Sequence, residues 1–160
     1  MSCLSDGRPE AGPGGQVAAA VAAARNPELL GRLKLPAGAP AGAVRAALNK
    51  KDGDGNLPIH RALWLEATGA GPELVRAMLD AGGEAMLGVP GDYKRVPLHC
   101  AARSSPFPAV VALLLARGPA WATRAKSATG GGGTPLAVAE RFNTGPGAEE
   151  IKALLRAAMQ

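Results

Sequence analysis

Three stretches of this sequence carry residue types whose spacing could support chemistry. Asp52, Asp54 and Asn56 alternate oxygen-bearing side chains, as the opening of a calcium loop does. Such a loop also needs glycine at its sixth position and a bidentate glutamate at its twelfth. Leu57 and Leu63 occupy those places, so the run is predicted to be a tight turn. The glycines at 130–133 could cradle a phosphate, but Thr134-Pro135 follows where a P-loop sets its lysine, and a flexible loop is expected. His60 and His99 could act as bases or ligands. No oriented nucleophile accompanies them, and two histidines fall short of a metal's ligand set. Cys100 adjoins His99, yet adjacent residues point apart on a helix. Both histidines are expected to be structural; no catalytic residue, cofactor or metal site is assigned, and the chain is read as a non-enzyme.

What remains is a surface chemistry of cations and rings. Lys50 and Lys51, Lys94 and Arg95, then Arg124 and Lys126 recur in the stretches ahead of three prolines, where they would form a basic edge. Trp64, Arg103 and Arg141 each follow a proline by six residues and could form one column near a concave face, with cover of the neighbouring insertion the favoured alternative for Trp64. Tryptophan and arginine are favoured as interface anchors. The candidate partner-binding set is Lys50, Lys51, Arg61, Trp64, Tyr93, Lys94, Arg95, Arg103, Arg124 and Lys126. Trp121 is expected to cover core instead.

These residues are placed by a recurring phrase. Leu57-Pro58-Ile59-His60 returns as Val96-Pro97-Leu98-His99 and, worn down, as Thr134-Pro135-Leu136-Ala137, the prolines lying 39 and 38 residues apart. Proline fixes its own φ and biases the preceding residue toward extended backbone, so each copy predicts a loop-to-helix corner. Turn-forming residues precede it, as in KKDGDGN. A second helix follows each: from Pro72 with Leu74, Val75, Met78 and Leu79 on one face and Gly82 closing it, from Pro108 with Val110, Val111, Leu114 and Leu115, and near Glu149 with Ile151, Leu154 and Leu155. Helices are also expected at 17–24 and 27–33, with PAGAPAG at 36–42 as a breaker. Residues 1–15 have almost nothing to bury and are expected to be a disordered tail.

LPIHRA, VPLHCA and TPLAVA, together with LVRAMLDAGG and VVALLLARGP, resemble the ankyrin repeat family across residues 16–160. The resemblance implies an all-α solenoid of three recognisable repeats plus a degenerate N-terminal helical pair. It also implies a non-catalytic protein-protein interaction module or adaptor that uses its concave face and inter-repeat loops. The departures are specific. The family period is about 33 residues, Leu57 and Val96 replace threonine, and Ala137 replaces histidine. In the family those side chains tie neighbouring turns, so looser joints are expected.

Composition agrees with short, closely packed helices: of 160 residues, 47% are hydrophobic but only 3% aromatic. No run reaches the ~18 apolar residues of a membrane span. Acidic Asp6 and Glu10 ahead of the 17–24 stretch argue against a secretion signal. Two cysteines without a disulfide framework fit a reducing compartment, and a cytoplasmic or nuclear monomer is expected. The net charge of +5 favours a partner with an acidic segment, with nucleic acid or another polyanion as the alternative.

Overall fold

The computed structural model describes residues 41–64, 71–128 and 133–160. The expected tail, the two helices at 17–24 and 27–33, and the glycines at 130–132 lie outside the described residues.

Proline opens five of the seven α-helices among the described residues. These are α2 (Pro58–Trp64), α3 (Pro72–Gly82), α4 (Pro97–Ser104), α5 (Pro108–Arg117) and α6 (Pro135–Phe142). A first-turn proline loses no helical hydrogen bond, because the first N–H groups have no partner in the helix. The other two are α1 (Ala41–Leu48) and α7 (Ala148–Ala158). Short 3-10 helices lie at Glu84–Gly88, Asp92–Lys94 and Ala120–Arg124, and no strand occurs among the described residues. The chain is therefore all-α there.

The helices contact one another in two rows. α2, α4 and α6 are successive neighbours, as are α1, α3, α5 and α7, while α4 packs on α5 and α6 on α7. The core lies between the rows. Ile59, Leu63, Leu98 and Ala139 enter it from one side; Val44, Leu48, Val75, Met78, Val111 and Ile151 enter from the other. Alanine at 101, 102 and 139 lets the first row approach closely, and burying each larger side chain contributes about 1.5–3 kcal/mol.

Two features differ from the sequence expectation. α1 begins inside the stretch read as a breaker, and buries Val44 and Leu48 one turn apart against α3. Gly82 stays inside α3 against Met86, and Gly83, at φ 94°, turns the chain instead.

The proline turns close alike. Asp52 N–H donates to the Asn56 carbonyl (2.9 Å), Gly91 N–H to that of Arg95 (2.8 Å), and Ser127 N–H to that of Gly133 (3.1 Å). Each acceptor stands two residues before a proline. The histidines then join one turn to the next. Leu57 N–H donates to His60 Nδ1 (3.0 Å), so Nε2 carries the proton and meets the Arg95 carbonyl (3.0 Å). Val96 N–H likewise donates to His99 Nδ1 (3.2 Å), and His99 Nε2 reaches the carbonyls of Ala125 (3.0 Å) and Gly133 (3.2 Å).

These bonds are one half of a capping box, in which the third helical residue reaches back to the N-cap N–H. The third copy holds the other half: the Thr134 hydroxyl accepts from Ala137 N–H (3.3 Å). At the two histidine joints the third helical residue's N–H meets backbone instead, His60 N–H donating to the Leu57 carbonyl (3.0 Å) and His99 N–H to that of Val96 (2.9 Å). Further cross-links come from Asn56, whose Oδ1 accepts Asp92 N–H (2.9 Å), and from close approach at Gly91, where a Cβ would overlap Asn56 and His60.

Candidate functional site

The turns hold α2, α4 and α6 in register, so residues six after each proline come level. Trp64, Arg103 and Arg141 occupy those places. The Arg103 guanidinium lies 4.9 Å from the Trp64 ring centre and 4.7 Å from that of Phe142, and Arg141 lies 5.3 Å from Phe142. From the turn before α4, Arg95 stacks on Trp64 (4.4 Å) and Tyr93 (5.0 Å). Ring and guanidinium alternate without a break from Tyr93 through Arg95, Trp64, Arg103 and Phe142 to Arg141.

Each contact contributes about 0.5–1 kcal/mol where exposed and up to about 2 where water is excluded. Their larger effect is to hold otherwise flexible arginine side chains in set positions. Burial, and then the neighbouring Arg103, push the Arg95 pKa below its usual value, with Asp92 among the groups opposing the shift. The group stays charged at neutral pH.

The Tyr93 end is presented under strain. Tyr93 and Lys94 sit at φ 56° and 57°, a left-handed pair in the turn that Arg95 N–H closes onto the Asp92 carbonyl (3.2 Å). This conformation costs a residue with a Cβ about 1–2 kcal/mol. The equivalent turn after Asp52 places Gly55 at φ 85° and carries no such cost. Tyr93 remains about half exposed at the tip.

The other sequence-identified residues are placed differently. Arg61 is held by Asp52 (2.8 Å) and Asp54 (2.6 Å), so it braces its own turn. Burial raises the Asp52 pKa, but Arg61 and the N–H groups of Asn56 and Asp54 outweigh it, leaving the carboxyl below its ordinary value. Arg124 donates to the Met159 carbonyl at the end of α7 (3.0 Å). Lys50, Lys51, Lys94 and Lys126 are exposed in or beside the turns. Trp121, expected as core cover, is 54% exposed: it lies against Gly88, which has no side chain to bury the ring. Phe142 went unrecognised in the sequence, because the equivalent positions hold Leu65 and Ser104.

Both nitrogens of each histidine are taken by backbone groups, and burial first lowers the pKa of both His60 and His99. Cys100 is buried, which pushes its thiol up to about 12. Beside it a cleft of about 140 Å³ is lined by Asn56, Arg61, Trp64, Asp92 and Arg95. Ligand and cofactor pockets run to about 300–1,000 Å³, so the cleft is small for either. Among the described residues no group of three or more His, Cys, Asp or Glu is placed to hold a metal ion. No helix among them is long and apolar enough to cross a membrane.

No protein-family model matches the chain, and no curated protein matches it.

Proposed function

We propose that the chain is an ankyrin-type solenoid serving inside the cell as a non-catalytic protein-binding module. Its binding surface is the face that carries the guanidinium and aromatic ladder. The two helix rows, the three like turns and the histidine joints support the repeat reading. The single observation that carries the functional reading is Arg103 stacked between Trp64 and Phe142. Arginine and aromatic side chains dominate binding energy at interfaces, and fixing them beforehand lowers the entropic cost of association.

Affinity capture from the native cell tests this with two variants of the full chain. One replaces Arg95, Arg103 and Arg141 by Gln; the other replaces Lys50, Lys51 and Lys126 by Gln. Retained proteins should disappear with the first and persist with the second. Equal retention by both variants would refute the ladder as the surface.

The exposed lysines of the turns favour a second reading, binding of nucleic acid or another polyanion. That mode requires affinity that falls steeply with salt and weakens when the turn lysines are neutralised. Absence of RNA and DNA binding at low salt would remove it.

A further inference from the structure

We infer that the Arg103 guanidinium anchors a carboxylate of an acidic peptide segment laid along the ladder between Tyr93 and Phe142. The inference rests on the reading of that face as the binding surface. Stacking against Trp64 and Phe142 occupies the guanidinium's face and leaves its N–H edge to meet a ligand. That edge presents paired donors matched to the two oxygens of a carboxylate.

Charge complementarity points the same way. Arg61, Arg117 and Arg156 each bind a carboxylate of this chain, whereas Arg103 has none among the described residues. Arg95 and Arg141 lie on either side, with Asp92 an acidic group near Arg95 among the described residues. Tyr93 and Phe142, 53% and 42% exposed, offer apolar surface beside the cations. The arrangement therefore suits alternating carboxylate and apolar side chains.

The same stacking disfavours a nucleic-acid strand. Single strands are held by bases lying on open aromatic faces. Trp64 already carries two guanidiniums, so a base could stack there only by displacing an arginine.

The test uses the full chain with Trp121→Phe, in which Trp64 is the sole tryptophan and its emission reports the ladder. Blocked octaglutamate is titrated at low salt against octaglutamine and a thymidine octamer, with circular dichroism verifying the fold of every variant. Octaglutamate should bind at least about tenfold more tightly than octaglutamine. Arg103→Gln and Arg103→Lys should each weaken it about tenfold, because lysine keeps the charge but lacks the fork. Lys126→Gln should alter it less than about twofold.

Failure of octaglutamate to bind, undiminished binding by Arg103→Lys, or tighter binding of the thymidine octamer would each overturn the assignment. If a captured cellular partner depends on Arg103 while octaglutamate does not bind, the carboxylate assignment falls and the binding-face reading stands. If neither depends on Arg103, both fall.

Discussion

His60 Nε2 lies 3.0 Å from the Arg95 carbonyl oxygen, and the same Arg95 stacks its guanidinium 4.4 Å from the Trp64 ring centre. One residue thus serves the joint with its backbone and the ladder with its side chain. Loosening the joint should displace a rung.

The joints make stability depend on pH. Burial lowers the folded pKa of His60 and His99 below the ordinary 6.5. Between the folded and unfolded values the unfolded chain binds more protons, so stability is fully present above pH 6.5 and is lost as pH falls through the folded pKa. Each histidine contributes a slope of at most about 1.4 kcal/mol per pH unit. Urea midpoints should fall between about pH 7 and 5, and a His99→Gln variant should lose part of that slope. An unchanged midpoint across this window would contradict neutral, buried histidines.

Strain at the Tyr93 tip gives a substitution expected to stabilise. Lys94→Gly should raise stability by about 1 kcal/mol, because glycine adopts φ near 57° without the Cβ penalty. Tyr93→Gly relieves the same strain but also removes the ring 5.0 Å from Arg95, so it should gain less. Thermal midpoints of the two variants decide the order.

The proline starts were legible in the sequence because proline tolerates few places in a helix, and counting six residues onward picks out Trp64 and Arg103, which the structure places 4.9 Å apart. α1 was not legible: Pro36 and Pro40 with their glycines outweighed a pattern anchored only by Val44 and Leu48. Arg61 and Arg124 read as surface charge because sequence spacing does not show Asp52, Asp54 or the Met159 carbonyl beside them. Phe142 lacked a repeated counterpart. Its role depends on the packing of α6 against α4.

That packing has its own polar tie. Asn143 is 4% exposed and its Nδ2 donates to the carbonyls of Ala102 (2.9 Å) and Ser105 (3.3 Å) at the end of α4. Asn143→Ala should cost about 2 kcal/mol, since it leaves buried carbonyls without donors. Asn49→Ala, at an exposed side chain that donates to the Gly82 carbonyl (2.9 Å), should cost less. Chemical denaturation of the two variants measures the difference.

Cys100 gives a probe of global opening. It is 2% exposed and its thiol is pushed up to about 12 by burial, so thiolate is scarce at neutral pH. In a Cys3→Ser variant a disulfide reagent should react only as fast as the chain unfolds, and at full rate in denaturant. Rapid labelling under native conditions would show that α4 does not seal the site.

The ladder itself is tested most directly by the arginine Nε–Hε resonances of the free protein. Stacked guanidiniums feel the ring currents of their partners, so those of Arg95, Arg103 and Arg141 should lie upfield of exposed Arg76. Arg95 and Arg103 should shift back in Trp64→Leu, and Arg103 and Arg141 in Phe142→Leu. Coincidence of all three with Arg76 in the unsubstituted chain would contradict a pre-arranged binding face.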